Sequence, residues 1–289
     1  MSDEKSPAPT KKLLDKSPLS GIAVPIAIVL VGALIIFGVT KMLSTGKNHR
    51  DLVAELNSKT FGNRWVAAYE LSKYLASSKI PSQDVPWVVE NLIQVYNQSV
   101  DARTRNFVVL ALGTLKHPLS AELMNKAVND EDPQVKFNAI VGLGNLSKDS
   151  KIDWENLKTQ LMTTSDEGIK QAIIFTMATH KVEGGELIIK PLMGASERMV
   201  RYAAATALIY YNPSESNKIV EEIFALPYDQ FAAGQLNGSQ AEVLKLNVLS
   251  HIEKASATEL SNLVQNLVEK DSNIQVSTKA KQVLNLLKK

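Results

Sequence analysis

Apolar and polar residues recur along most of the chain with the period of amphipathic helices, and one such pattern is found seven times. Each copy holds a basic residue, with apolar residues three and seven positions later on one face of a helix. The copies follow one another at intervals of 31 to 44 residues, and only Gln282 breaks the pattern. The basic residues are Arg64, Arg105, Lys136, Lys170, Arg201, Lys245 and Lys279.

A second amphipathic stretch precedes each basic-containing helix. Asp132 followed by Pro133 is typical of a helix start, because a capping residue then stands before a proline at the first helical position. No alternating run of β-branched residues is long enough to predict a strand, so the sequence predicts an all-α protein. The preceding stretches span residues 49–57, 85–97, 120–128, 152–162, 186–193, 216–225 and 258–268.

These paired helices indicate a repeat architecture. One helix pair cannot bury its own apolar face, whereas stacked pairs share a continuous core. The sequence therefore predicts an α-solenoid of about seven helix pairs over residues 45–289. The two widest intervals contain the turn-rich segments 77–84 and 227–240, which we expect to be loops.

The N-terminal region has a different character, because residues 22–42 are almost entirely apolar and residues 17–40 carry no charge. The 21 residues of this run would rise about 31 Å as a helix, close to the roughly 30 Å hydrocarbon core of a bilayer. The run is longer than the apolar region of a cleavable signal peptide, and no small-residue cleavage site follows it. The sequence predicts a disordered tail at residues 1–19 and a transmembrane helix at residues 20–44, which contacts the lipid bilayer through residues 22–42.

Basic residues flank the predicted span on both sides, so the positive-inside comparison is nearly tied. Lysines cluster just before the span, which favours a cytoplasmic N-terminal tail. We therefore expect a single-pass protein of the inner (cytoplasmic) membrane whose C-terminal domain lies outside the cytoplasm. The clustered lysines are Lys5, Lys11, Lys12 and Lys16.

The most specific copy of the repeat covers residues 132–146, which begin Asp-Pro-Gln-Val-Lys and contain Gly-Leu-Gly near their end. Together with the other copies, this segment resembles the HEAT-repeat family, as a bacterial and membrane-anchored member, over about residues 47–289. The resemblance implies that the second helix of each pair lines a concave, protein-binding surface. It also implies an acid–base ladder between repeats, formed by Asp101, Asp132, Asp166 and Glu197 with Arg105, Lys136, Lys170 and Arg201.

Within one helix, the simplest partner of each base is the acid four residues before it. Such pairs stabilise an isolated helix by only about 0.2–0.5 kcal/mol each. Three bases lack this acid and are predicted to be freer to contact a partner, namely Arg64, Lys245 and Lys279, where Thr60, Ala241 and Gln275 stand instead.

Aromatic and aliphatic residues also occupy positions one and five after the base, opposite the predicted core stripe. Aromatic residues on an exposed face favour a binding surface, because they dominate interface energetics. Packing between adjacent repeats is the alternative interpretation. The candidate partner-binding residues on this face are Trp65, Tyr69, Phe137, Phe175 and Tyr202, accompanied by Leu110 and Val141.

Composition and motifs argue against catalysis. The chain has no cysteine, which excludes disulfides, thiolate catalysis and cysteine metal sites. Its four histidines have no ligand-spaced partners, and no nucleophile-elbow, zinc-protease or phosphate-loop motif occurs. Gly142 and Gly144 lie within a helical pattern, so we interpret them as helix-packing residues. We expect no enzyme activity, no cofactor, no metal site and no small-molecule substrate.

The sequence thus predicts a membrane-tethered scaffold that presents a concave helical groove to partner proteins. The alternative is an accessory repeat module similar to those of bilin lyases, which would bind a chromophore or its carrier protein and would need a tetrapyrrole-sized apolar cavity. A nucleic-acid-binding repeat protein would need a strongly basic groove, and the formal net charge of +2 argues against that class.

Overall fold

The computed structural model describes residues 47–58, 64–77, 80–229 and 236–288, and these residues form fourteen α-helices and no strand. The predicted all-α fold is therefore confirmed. The helices are α1 (His49–Leu56), α2 (Arg64–Ser77), α3 (Val85–Gln98), α4 (Ala102–Leu115), α5 (Ser120–Ala127), α6 (Pro133–Gly144), α7 (Trp154–Thr163), α8 (Glu167–His180), α9 (Gly185–Ile189), α10 (Arg198–Leu208), α11 (Pro213–Phe224), α12 (Gly238–Ala255), α13 (Ser261–Lys270) and α14 (Ile274–Leu287).

The described helices pack as seven consecutive pairs, from α1 with α2 to α13 with α14. The second helices of neighbouring pairs also contact one another, in the order α2, α4, α6, α8 and α10, and α12 contacts α14. First helices make fewer such contacts, for example α1 with α3 and α11 with α13. This regular stacking is the helical-repeat architecture that the spacing of the basic residues predicts.

The predicted apolar positions form the core. In the first six pairs the residues three and seven positions after each base are buried, as Val108 and Leu112 are in α4. The last helix departs from the pattern, because Leu286 is exposed while Val283 and Leu284 are buried.

Short polar side chains start several of the second helices. The carboxylate of Asp132 accepts hydrogen bonds from the backbone N–H groups of Gln134 and Val135, and Asp166 accepts one from Ile169. Asn237 and Gln240 form a reciprocal capping box at the start of α12. Each cap satisfies N–H groups that have no partner within the helix and is worth about 1 kcal/mol.

The fifth pair differs from the prediction of one helix over residues 186–193. Helix α9 ends at Ile189, and the chain continues as a 3-10 helix over Lys190–Gly194. Pro191 causes the change, because proline has no N–H and its ring clashes with the carbonyl group four residues earlier in an α-helix.

Glycines allow the second helices to approach closely. A Cβ atom built on Gly113 would lie 3.3 Å from the Cα atom of Gly142, and one built on Gly144 would lie 2.9 Å from Oγ1 of Thr176. The interpretation of Gly142 and Gly144 as helix-packing residues is confirmed.

The chain divides into two units, residues 1–48 and 49–289, and the fourteen helices belong to the second. Among the described residues, no helix combines the length and the apolar character needed to cross a bilayer. The predicted tail at residues 1–19 and the predicted transmembrane helix at residues 20–44 lie outside the described residues, so both stay predictions.

Candidate functional site

The second helices α2, α4, α6 and α8 carry a row of apolar side chains on the side away from the core, which we call the second-helix face. Tyr69, Leu110 and Val141 in this row are 40%, 37% and 39% exposed, respectively. The row passes from pair to pair because consecutive second helices are in contact. Four half-buried aromatic side chains complete it, namely Trp65, Phe107, Phe137 and Phe175.

Rings and cations meet where α2 packs against α4. The rings of Tyr69 and Phe107 meet edge to face with centroids 5.2 Å apart. The guanidinium carbon of Arg103 lies 5.0 Å from the ring centroid of Trp65, and the ammonium of Lys73 lies 5.3 Å from that of Tyr69. This end of the face is therefore aromatic and positively charged.

Farther along, the face combines apolar side chains with one pair of amides, and no cation lies over its rings among the described residues. The side-chain amide of Asn138 in α6 donates a hydrogen bond to the amide oxygen of Asn106 in α4, at 2.6 Å. Phe137 and Phe175 pack against the core with part of each ring exposed. These two candidates combine a packing role with an accessible edge, so both interpretations of the aromatic positions apply to them.

The second-helix face ends at pair four, where a histidine covers Phe175. The ring of His251, in α12, stacks on Phe175 with centroids 5.1 Å apart and an interplanar angle of 16°. Nδ1 of His251 also forms a hydrogen bond of 3.0 Å with the hydroxyl of Tyr210. Burial lowers the pKa of His251 to about 4, so the ring is neutral at neutral pH.

The prediction that Tyr202 contacts a partner on this face is wrong, and the alternative interpretation, packing between repeats, is correct for this residue. Tyr202 is only 2% exposed and belongs to a second core cluster that includes Val248 of α12. Its hydroxyl donates a hydrogen bond to Glu222 at 2.7 Å, and burial together with this carboxylate raises the pKa of Tyr202 to about 12. Helix α10 is buried on nearly all sides, so it offers no surface at this position.

The prediction that Lys245 is free is also wrong. Lys245 is 3% exposed, and its ammonium donates to Asp271 at 2.9 Å. Arg64 contacts the segment that precedes its own helix, because its Nε and Nη2 atoms donate to the carbonyl oxygen of Ser58 at 3.1 and 3.0 Å. Lys279 pairs with Glu253 of the preceding pair.

The bases form a ladder, but not with the acids four residues before them. Each acidic partner found lies in a neighbouring pair: Arg105 donates to Asp130 at 2.8 and 2.9 Å, and Lys170 to Glu197 at 3.1 Å. Asp101, Asp132 and Asp166 instead cap their own helices. Of the acids implied by the family resemblance, Glu197 alone pairs with one of the predicted bases among the described residues.

Two junctions share a buried cluster of a tyrosine, an aspartate and a base. In the first, Tyr96 donates its hydroxyl to Asp130 at 2.6 Å, and Arg105 donates to the same carboxylate. In the second, Tyr228 donates to Asp271 at 2.7 Å and lies 4.2 Å beneath the ammonium of Lys245. Each aspartate also accepts the backbone N–H two residues later, so the carboxylates are well satisfied.

Electrostatics at the first cluster favour the ionised pair. Burial alone would raise the pKa of Asp130, but hydrogen bonds from Arg105, Tyr96 and the backbone of Asp132 hold this pKa below its ordinary value. Burial and the bond to Asp130 raise the pKa of Tyr96, so this tyrosine stays protonated. The cluster is a structural link between pairs two and three.

The ion pair expected at the base Lys136 is missing from the ladder. The ammonium of Lys136 makes no hydrogen bond or ion pair within the described ranges. Thr164 stands two residues before the cap Asp166, the same position that Asp130 and Asp271 hold before their caps. Its hydroxyl accepts the backbone N–H of Asp166 at 3.1 Å, as the aspartates do, but supplies no charge.

The described surface includes two cavities of several hundred cubic ångströms. One of about 620 Å³ lies between α11 and α13, beside the Tyr228–Asp271–Lys245 cluster, and its lining mixes apolar residues such as Phe224 and Leu267 with charged ones such as Glu221 and Lys270. The other, of about 520 Å³, lies beside the Trp154 and His180 rings. No group of histidine, aspartate or glutamate side chains in the described part of the chain is arranged to hold a metal ion.

Sequence reasoning missed part of the charged end of the face. Arg103 and Phe107 lie four residues apart on α4, with Phe107 two positions after its base instead of one. A search for aromatic and basic residues at helical spacing, without a fixed register to the base, would find both. The partnership of Lys73 with Tyr69 follows the same i, i+4 spacing.

Comparison with family models identifies HEAT repeats at residues 89–178, which cover the second helix pair to the fourth. A comparison with curated protein sequences finds no match.

Solved structures share the fold. One chain in the structure of the complex of CpcE and CpcF of phycocyanin lyase from Nostoc sp. PCC7120 is 16% identical, with a TM-score of 0.59, covering 85% of this chain and 95% of that chain. Escherichia coli YibA is 13% identical with a TM-score of 0.49, covering 84% and 83%. At these identities the likeness concerns the fold, and the TM-score of YibA is too low to add to it.

Proposed function

We propose that this HEAT-repeat protein is a membrane-tethered scaffold that binds partner proteins on its second-helix face. The observation that carries the proposal is the row of exposed apolar side chains, Tyr69, Leu110 and Val141, on three consecutive second helices. Scattered apolar residues are ordinary on a protein surface, but a continuous row beside half-buried aromatic rings is typical of an interaction site. The proposal assigns the chain no catalytic role.

Stacked helices suit this function, because each pair adds a further strip of accessible surface without changing the core. The side chains that would contact a partner are Trp65, Tyr69, Phe137 and Phe175, together with the aliphatic residues between them. Tyr202 and Lys245 are excluded from the proposed interface because they are buried. Arg64 stays a candidate at the edge of the face.

Site-specific photocrosslinking in native membranes tests the binding face. A photoreactive amino acid at Leu110 or Val141 is expected to crosslink to a discrete partner, and the charged substitution Tyr69→Glu is expected to abolish these crosslinks. Val243, which is 65% exposed on α12, provides the control position. Equal crosslinking from Val243, or no crosslinking from either position on the face, would contradict the proposal.

Membrane tethering is proposed from the sequence of residues 22–42. The full chain is expected to resist extraction by alkaline carbonate, whereas a chain that lacks residues 1–44 is expected to be released. A C-terminal alkaline phosphatase fusion is expected to be active, which would place the repeats outside the cytoplasm. Release of the full chain by carbonate would refute the tether, and an inactive fusion would reverse the orientation.

A second candidate function is an accessory module similar to those of bilin lyases. It is supported by the likeness to a chain in the phycocyanin lyase complex and by the cavity of about 620 Å³, whose size is within the range of small-molecule sites. Mixing the purified chain with free phycocyanobilin tests it. If this candidate is correct, the bilin absorption spectrum changes in a saturable way. Phe224→Trp places a larger side chain in the cavity wall and is expected to remove that change.

A further inference from the structure

We infer that the end of the second-helix face formed by α2 and α4 selects an acidic, apolar segment of a partner protein. The contact residues are Trp65, Tyr69, Lys73, Arg103 and Phe107, which we call the α2–α4 patch. The inference rests on the proposed function, since it names the chemistry of the partner for the same face.

The apolar part of the α2–α4 patch supplies the anchor. Tyr69 is 40% exposed and is held edge to face against Phe107, so its ring is fixed before a partner arrives. Leu110, one turn farther along α4, is exposed beside them. Rigid aromatic rings bury a large area at low entropic cost, which is why they form the centre of many interfaces.

Arg103 supplies the first cation. Its side chain is 66% exposed, and its guanidinium lies over the ring of Trp65. Its Nε atom donates to Asp101 at 3.1 Å, while its two terminal amino groups make no hydrogen bond to any residue in the described ranges. A guanidinium has five N–H donors in a rigid plane, so those two groups are available to a carboxylate. Stacking on the indole reduces the freedom that binding would otherwise remove.

Lys73 supplies the second cation. Its ammonium lies over the ring of Tyr69 and has no acidic partner within the part of the chain that the structure describes. The nearby carboxylate of Asp101 is already occupied, because it accepts from the backbone N–H and Nε of Arg103 and from the hydroxyl of Thr104. The patch thus carries two cations, only one of which has an acidic partner.

The rest of the second-helix face has a different character. Asn106 and Asn138 form an amide pair, and no cation lies over a ring of α6 or α8 among the described contacts. The cations that lie over aromatic rings of this face are therefore confined to the α2–α4 patch, so the acidic end of a bound segment is placed there and its uncharged part along α6. Two cations are too few for a nucleic-acid site, which typically neutralises about 6–10 phosphates.

Intrinsic fluorescence of Trp65 tests the inference directly. The chain has three tryptophans, so the full-length protein with Trp87→Phe and Trp154→Phe reports from Trp65 alone. The probes are three synthetic 15-residue peptides that share the same leucines and phenylalanine and carry four glutamates, four glutamines or four lysines. The glutamate peptide is expected to shift the emission of Trp65 and to bind about tenfold more tightly than the lysine peptide.

The cations are then removed in that background. The double variant Arg103→Gln, Lys73→Gln is expected to lose the preference for glutamate over lysine, while Lys218→Gln, an exposed lysine on α11, is expected to keep it. Thermal melts followed by circular dichroism confirm that each variant is folded. Raised salt is expected to weaken the binding of the glutamate peptide and to leave the affinity of the glutamine peptide unchanged.

Two results would overturn the inference, and they differ in what they say about the proposed function. Equal affinity for the glutamate and lysine peptides would refute the charge preference and leave a protein-binding face. No change of Trp65 emission with any peptide would refute the patch as a binding site. In that case, crosslinks from Val141 would show whether the rest of the face still binds a protein.

Discussion

Asp130→Asn tests whether the tyrosine–aspartate–base clusters hold neighbouring pairs together. The side chains of Arg105 and Asp130 are 8% and 4% exposed, so the substitution leaves a buried guanidinium without its main counter-charge. Removing one partner of a buried ion pair costs about 3–5 kcal/mol. Glu131 remains 3.2 Å from Arg105, but because its side chain is 86% exposed it recovers only a small part of the lost stabilisation. We therefore expect a loss of about 3 kcal/mol in the free energy of unfolding.

Urea and thermal unfolding of the full chain in detergent, followed by far-ultraviolet circular dichroism, measure this loss. A decrease of about 3 kcal/mol corresponds to a fall in Tm of about 6–12 °C for a domain of this size. The matched control is Asp149→Asn, at an exposed loop position, which is expected to leave Tm unchanged. A Tm for Asp130→Asn within about 2 °C of the parent protein would refute the reasoning.

A double-mutant cycle separates the ion pair from other effects of the substitution. Arg105→Met and Asp130→Asn together are expected to cost less than the sum of the two single variants, with a coupling of about 1–3 kcal/mol. The single variant Arg105→Met also removes hydrogen bonds to the carbonyl groups of Ser99 and Val100. Strictly additive losses would show that the two side chains do not stabilise the fold through each other.

Acid provides an independent check on the same carboxylate. Since the pKa of Asp130 is lowered in the folded state, its contribution is present above the unfolded-state value of about 4 and is lost as pH falls through the folded value. The difference in stability between the parent protein and Asp130→Asn is therefore expected to be constant above about pH 5 and to shrink below about pH 4. A difference that grows in acid would contradict the assignment.

Three further outcomes are expected from other residues. Thr164→Asp introduces a carboxylate at the position that Asp130 and Asp271 hold at their junctions. If it pairs with Lys136, the free energy of unfolding is expected to rise by up to about 1 kcal/mol, which thermal melts detect as a higher Tm. Tyr202→Ala is expected to cost about 3–5 kcal/mol in urea unfolding, whereas Tyr69→Ala costs less than about 1 kcal/mol. The pKa of Glu197 is lowered to about 2 by hydrogen bonds from Ser196 and Lys170. The stability that its carboxylate adds is therefore expected to disappear as the pH falls from 4.5 to 2. Glu197→Gln is expected to remove this part of the pH dependence of stability.

The sequence by itself determined the repeat and the helix starts. Periodic apolar positions and capping residues are local signals, because they depend on residues within one or two turns of the same helix. Leu112 is therefore buried and Asp132 therefore begins α6, as predicted. The transmembrane helix predicted at residues 20–44 depends on local composition alone, and it stays a prediction because it lies outside the described residues.

Only the tertiary structure decided which side chains are exposed and which charges pair. Trp65 and Tyr202 hold the same position after their bases, yet Trp65 is half-buried on the second-helix face and Tyr202 lies in the core. The difference arises because α10 is buried on nearly all sides by neighbouring helices, a property of its neighbours and not of its own sequence. In the same way, Arg105 pairs with Asp130, which is 25 residues later in the chain, because the packing of one helix pair on the next determines which acid lies beside each base.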